Sequence, residues 1–206
     1  MKTKLLILTV VSALLAVGAQ PLVAAHAGAP SKAILTERGT TGVTLDSNLI
    51  PTLGSLGVTL SPLAPSTIFV ASEGLAYFPI VSGIFDPAST TAEINHSGGL
   101  VLSAGGTQLV LSSFVISLSS SGTPILTGLA TLNGALVGRI PLFDLGLSTV
   151  RISYKMSKLT VEGVNLTLNA DAATTLNSIF GTTAFAGGFA IGTAEVESYY
   201  NKLPRN

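Results

Sequence analysis

The sequence predicts an all-β protein, an antiparallel β-sandwich that also carries two short helices. Turn residues recur about every 8 to 12 residues from Thr41 onward, which is the spacing of a sandwich or a barrel. Residues 115–118 and 164–168 show the alternation of half-buried strands. Asn133-Gly134 lies between two apolar runs and is typical of a tight hairpin turn. Together these observations favour antiparallel strands joined by short connections.

The first 27 residues predict a secretory signal peptide. Lys2 and Lys4 form a basic start, and residues 5–17 are an apolar run. This run is too short for a membrane span, and Ala25-His26-Ala27 gives the small-x-small pattern of a cleavage site. We therefore expect cleavage after Ala27 and an extracellular or cell-surface location.

The rest of the chain is predicted to be one domain with two short flanks. Residues 28–40 are expected to be an irregular lead-in, residues 41–198 the β-sandwich domain, and residues 199–206 a short polar tail without a complete sorting signal. The predicted strands cover residues 42–45, 67–71, 75–81, 92–95, 99–103, 108–118, 125–132, 135–142, 150–154, 159–168 and 190–198.

Two similar segments interrupt the strands and predict helices over residues 47–56 and 170–180. Each follows Thr-Leu-Asp or Thr-Leu-Asn and ends at a glycine, Gly57 or Gly181. Asp and Asn are good residues at a helix start, and glycine ends a helix in a left-handed turn. The similarity is consistent with an ancient duplication or with two helices that plug the ends of the sandwich.

The composition excludes some classes of function. Without residues 1–27 the chain has eight basic and ten acidic residues, so it lacks the basic excess that binds nucleic acid. It has no cysteine, and packing and strand pairing alone must stabilise it outside the cell. Only 10% of its residues are charged, against about 25% in typical globular proteins. Two explanations are open: a Ser/Thr-rich extracellular surface, or an apolar face that meets a partner such as a cell wall.

The sequence contains no complete catalytic or metal-binding motif. His96 is the one histidine outside the predicted leader, which argues against a zinc site. No Gly-x-Ser-x-Gly elbow and no Asp-rich calcium loop occurs. Glycine-rich pieces such as 97–99 and 104–106 lie between strands and lack a following helix, so they predict turns and not phosphate loops. We predict that the protein is not an enzyme.

Two adjacent segments resemble the central part of the HtaA-type domain, a β-rich module of exported and surface proteins. Residues 78–83 give its aromatic-Pro-x-x-x-Gly stretch, and residues 96–100 give its His-x-Gly-x-Leu turn. The resemblance extends over about residues 67–150. Several members of the family bind haem in bacterial iron uptake, so the resemblance implies haem as a candidate cofactor.

In this family a histidine of the glycine-rich turn contacts haem, so the resemblance implies that His96 is a candidate haem contact. The family's iron-binding tyrosine motif, which also carries a tryptophan, has no counterpart, because the chain has no Trp and residues 43–63 contain no Tyr. Tyr77 is the remaining candidate if it faces His96 across neighbouring strands. Two interpretations of His96 stay open: a hydrogen-bonded histidine that stabilises a turn, and a ligand contact.

We therefore expect a secreted or cell-surface, non-catalytic binding or structural module. Its candidate partners are the cell wall, a surface protein or haem. A haem or porphyrin carrier that uses His96 is the first alternative, and a secreted hydrolase is the second.

Overall fold

The computed structural model describes residues 33–69 and 74–202. The predicted signal peptide lies outside these residues. The described part of the chain forms twelve strands and two helices: β1 (Ala33–Leu45), α1 (Leu49–Ser55), β2 (Thr59–Leu63), β3 (Thr67–Phe69), β4 (Leu75–Asp86), β5 (Thr91–His96), β6 (Gly99–Ala104), β7 (Thr107–Leu118), β8 (Ile125–Leu132), β9 (Ala135–Gly146), β10 (Arg151–Lys155), β11 (Lys158–Leu168), α2 (Ala170–Phe180) and β12 (Ala190–Lys202).

Eight antiparallel strands close into a barrel, so the prediction of a simple sandwich is wrong. The ring runs β7-β5-β4-β1-β12-β11-β9-β8 and closes because β8 also pairs with β7. Closure depends on the first strand, since β1 pairs with β4 on one side and with β12 on the other. β2 and β6 continue the sheet from β7, while β3 pairs with β4 and β10 with β11. The prediction of an all-β chain with two short helices is confirmed.

Both helices lie at the same end of the barrel. Leu45, where β1 ends before α1, pairs with Gly192 of β12. Leu166, two residues before the end of β11 and the start of α2, pairs with the same glycine from the other side. Since β1 and β11 both run antiparallel to β12, they run in the same direction, and the chain leaves both strands at one rim. The idea that the helices plug both ends of the domain is therefore wrong.

Local sequence explains where α2 begins and ends. The Asn169 side chain accepts a hydrogen bond from the backbone N–H of Asp171 at 3.0 Å, which caps the helix start. Gly181 ends the helix with a φ of 63°, in the left-handed region. The predicted range of residues 170–180 is confirmed. α1 is shorter than the predicted range of residues 47–56, because it begins at Leu49 and ends at Ser55.

The tight hairpins also form as the sequence predicts. Asn133 and Gly134 have φ angles of 49° and 83°, as a type I′ turn requires. Gly105 and Gly106 adopt the same left-handed geometry between β6 and β7. A third turn of this kind, at Met156-Ser157, has φ angles of 47° and 62° without any glycine.

The predicted flanks need correction. Residues 33–40 belong to β1 and are not an irregular lead-in, because residues 33–35 and 39–40 pair with both neighbours of β1. At Gly39 a Cβ would lie 2.7 Å from the backbone oxygen of Glu197, so glycine permits this close pairing. At the other end, β12 extends to Lys202 and includes the first half of the predicted tail. β2 was not predicted.

The barrel encloses the hydrophobic core. Leu159, Ile80 and Leu109 are almost fully buried inside it, with 0%, 1% and 2% of their surface exposed. Phe78 and Phe114 pack edge to face with ring centroids 5.4 Å apart. No helix within residues 33–69 and 74–202 is both long enough and apolar enough to cross a membrane.

Candidate functional site

The barrel interior contains a cavity of about 570 Å³. Its wall consists mainly of aliphatic and aromatic side chains from the inward faces of the strands, together with Leu49 and Leu53 of α1 and Leu176 of α2. The polar exceptions among the described wall residues are Thr41, Thr90, His96, Ser148 and Thr175, and none of the described wall residues is charged. An eight-stranded barrel is wide enough to hold one small ligand when side chains do not fill it.

A buried hydrogen bond links two of the polar wall residues. Thr41 is 4% exposed and His96 is 5% exposed, and 2.7 Å separates Thr41 Oγ1 from His96 Nε2. Thr41 lies on β1 opposite Phe78 of β4, and His96 lies on β5 opposite Ile80 of β4. The bond therefore spans β4 about midway along that strand and joins β1 to β5 inside the barrel.

The second nitrogen of the ring fixes the direction of this bond. His96 Nδ1 lies 3.3 Å from the backbone oxygen of Phe114, and a carbonyl oxygen can only accept. Nδ1 therefore carries the hydrogen and donates it. Nε2 then holds a lone pair, which accepts the hydrogen of the Thr41 hydroxyl. Burial lowers the pKa of His96 from 6.5 to about 4, so the ring is neutral at physiological pH.

The structure does not bring Tyr77 and His96 together. In β4, Ala76, Phe78 and Ile80 line the interior or are buried against it, and Tyr77 lies on the opposite, outer face. There it packs over Gly42, where a Cβ would lie 3.2 Å from Tyr77 Cε1. It also contacts Phe69 edge to face at 6.2 Å. The conjecture that Tyr77 faces His96 is therefore wrong.

The exposed part of the cavity wall lies at one rim of the barrel, away from the helices, and we call it the open rim. α1 and α2 contribute apolar side chains at the end where β1 and β11 finish. Thr90 and Ser148 are the exposed members among the described wall residues. Thr90 belongs to the turn between β4 and β5, and Ser148 to the connection between β9 and β10. Phe85 near the first connection pairs with Ala33 at the start of β1, and the second connection follows the end of β9, which runs antiparallel to β11. Both connections therefore lie at the rim away from the helices.

The site offers little for metal or acid–base chemistry. Within residues 33–69 and 74–202, no group of three His, Cys, Asp or Glu side chains is placed to hold a metal ion. The hydrogen-bonding partners of the His96 ring are a hydroxyl and backbone groups, and none of them is a carboxylate. A histidine with a pKa of about 4 is a weak general base near pH 7.

The sequence pointed to His96 but not to Thr41 or to the cavity. Thr41 alternates with Val43 and Leu45, and this period-2 pattern places all three on the inward face of β1. That pattern is the signal that would have identified Thr41. A cavity leaves no such trace, because the same apolar alternation is found in a filled core.

Fold and site define a closed antiparallel barrel with an apolar interior of ligand size. The same fold occurs in the crystal structure of the C-terminal domain of HtaA from Corynebacterium glutamicum. That structure matches with a TM-score of 0.59 and 15% identity, over 82% of this chain and 99% of that chain. A domain-swapped dimer of a histidine-to-alanine variant of that domain matches with a TM-score of 0.47 and 17% identity, over 76% of this chain and 89% of that one. The predicted resemblance to an HtaA-type domain is thus confirmed in its fold. No family model and no curated protein matches the sequence.

Proposed function

We propose that this protein is a secreted or cell-surface, non-catalytic binding module that holds one apolar small molecule inside its barrel. The observation that carries this proposal is the cavity of about 570 Å³, whose described wall is uncharged and almost entirely apolar. Ligand sites of known proteins have volumes of about 300–1,000 Å³ and walls of this kind.

The energetics of packing support a bound molecule. Protein interiors have few voids larger than a water molecule, and an unfilled apolar cavity costs stability because its wall loses contacts. An apolar ligand restores those contacts and removes its own surface from water. The ligand therefore gains affinity from the same surface that a filled core would bury.

The exported, non-catalytic role rests on the remaining features. The predicted leader favours a location outside the cytoplasm. The partners of His96 are typical of a satisfied, buried histidine and not of a nucleophile-activating base. A cell wall or a surface protein is the macromolecular partner that fits this location.

Binding of the neutral dye N-phenyl-1-naphthylamine tests the proposal, because its fluorescence rises in an apolar site. We expect saturable binding to residues 28–206 with one site per chain. Ala194→Phe places a ring in the cavity, since Ala194 is 3% exposed and lines the wall. This variant should weaken dye binding at least tenfold, and Ala92→Leu, also in the wall, should weaken it too.

The matched control is Thr193→Phe, because Thr193 is the exposed neighbour of Ala194 on β12. It adds the same ring outside the barrel and should leave dye binding unchanged. Circular dichroism and melting of each variant show that it is folded. Absence of saturable binding, or equal binding by the folded wall variants and the control, would refute the proposal.

Haem is the second candidate, favoured by the HtaA-like fold and by the position of His96 in the cavity wall. The neutral ring of His96 has the protonation state of an iron ligand. The residues fit the group only in part. The lone pair of Nε2 is occupied by Thr41, Tyr77 lies on the outer face, and the described wall has no cation for the propionates.

We therefore expect any haem binding to be weak and centred on His96. In a haem titration, wild type should show at most a modest Soret change, and His96→Ala should abolish it. Tyr77→Phe should leave the spectrum unchanged, because the tyrosine does not face the cavity. Tight binding that survives His96→Ala would place a haem site elsewhere.

A further inference from the structure

We infer that the molecule held in this cavity is uncharged and elongated and carries a hydroxyl group, which binds at Thr41 beside His96. This inference rests on the proposed function and specifies the chemical class of its ligand. Three features support it: the absence of charge from the described wall, the direction of the Thr41–His96 hydrogen bond, and the distance between the open rim and that bond.

The uncharged wall selects against ionic ligands. A carboxylate or phosphate inside the barrel would lose its hydration and, among the described wall residues, would find no cation in return. His96 does not supply one, because burial keeps its ring neutral near pH 7. An anion is thus expected to bind far more weakly than a neutral molecule of the same shape.

The Thr41–His96 bond determines which polar group the ligand presents. The Thr41 hydroxyl donates its hydrogen to Nε2, and its oxygen keeps lone pairs that can accept. The His96 ring has no donor left for a ligand, since Nδ1–H is directed to Phe114. The wall therefore offers an acceptor. A ligand alcohol can donate to it, whereas a ketone or an ester cannot.

The position of this acceptor implies an elongated ligand. Thr90, at the open rim, precedes His96 by six residues, and the intervening residues form β5. At about 3.3 Å per residue, roughly 20 Å of strand separates the rim from the polar pair. The lining between them includes Ala92 and Ile94, both apolar. A long apolar molecule that enters with its hydroxyl first places the hydroxyl at Thr41 and its apolar chain along the wall between Thr41 and the rim.

Competition against N-phenyl-1-naphthylamine tests the inference with three twelve-carbon compounds. 1-Dodecanol carries a donor, methyl dodecanoate carries only acceptors, and dodecanoate is an anion. On residues 28–206 at pH 7.5, we expect the alcohol to displace the dye at least tenfold better than the ester. It should displace the dye at least 100-fold better than the anion. Concentrations stay below the solubility limits of the alcohol and the ester and below the critical micelle concentration of dodecanoate.

Thr41→Val removes the acceptor, and Thr41→Ser is its matched control because serine keeps the hydroxyl. The alcohol's advantage over the ester should disappear in Thr41→Val and persist in Thr41→Ser, while both variants still bind the dye. Equal displacement by alcohol and ester in wild type, or displacement by the anion as good as by the alcohol, would overturn the inference. If the dye itself does not bind to wild type, the proposed function fails instead, so the two failures are distinguishable.

Discussion

Acidification is expected to destabilise this protein through His96 between pH 6.5 and pH 4. Burial lowers the pKa of His96 from 6.5 to about 4. Between these values the unfolded chain holds a proton on this residue and the folded chain does not. The unfolded state therefore binds more protons, and the free energy of unfolding falls as the pH falls. Well above pH 6.5 the ring is neutral in both states, so His96 no longer lowers the free energy of unfolding.

The size of the effect follows from the two pKa values. Each pH unit between them corresponds to about 1.4 kcal/mol, so the loss on going from pH 7 to pH 4 is about 3 kcal/mol. The ring is 5% exposed, and its partners Thr41 and Phe114 do not titrate in this range. A loss of about 3 kcal/mol is a large share of the 5–15 kcal/mol that stabilises a typical domain.

Urea unfolding of wild type and His96→Gln at pH 7 and pH 4 measures this loss of unfolding free energy. The glutamine amide does not titrate and can still accept a hydrogen bond from Thr41. The carboxylates are common to both proteins, so their contribution cancels in the comparison. Wild type should lose about 3 kcal/mol more than the variant. An equal loss in both would show that His96 ionises inside the fold without penalty, and the buried, neutral ring would be refuted.

Further changes test the turns, the strand pairing and the leader. Gly134→Val should lower the free energy of unfolding by about 1–2 kcal/mol, because φ is 83° there. Ser157→Gly should raise it by about 1 kcal/mol, because Ser157 has a φ of 62°. Gly99→Ala should cost about 3 kcal/mol, since its Cβ would lie 1.9 Å from the backbone oxygen of Leu111. Urea unfolding measures all three, and an unchanged midpoint would contradict each. N-terminal sequencing of secreted protein should begin at Gly28, and a start after Ala19 would show the leader prediction wrong.

Features that depend on neighbouring residues could be predicted from the sequence. α2 follows from Asn169 and Gly181, which cap its two ends through contacts within a few residues. The hairpin at Asn133-Gly134 follows from the preference of these residues for positive φ. Such interactions need no knowledge of the rest of the fold.

Barrel closure and the composition of the site could not be predicted, because they depend on distant pairings. Strands whose apolar and polar residues alternate bury one face in a sandwich and in a barrel alike. What separates the two is the pairing of β1 with β12, which are distant in the sequence. The sequence also does not determine which face of β4 points inward. Residues 75–78 are all apolar or aromatic, so alternation favours neither the face of Tyr77 nor the face of Phe78. Only the register with β5 and β1 decides that Phe78 points inward.

The strands outside the ring have a consequence for a chain with so few charges. Every strand of the ring has at least two partners, but β2, β10 and the three-residue β3 each pair along one side in the described sheet. Exposed strand edges of this kind recruit further strands and start aggregation. Pro62 interrupts the hydrogen-bonding row of β2, and Arg151 and Lys155 are exposed on β10. Proline and positive charge both discourage edge pairing. Two of the chain's few cations thus lie on a strand edge, where their charge discourages the pairing that starts fibre growth.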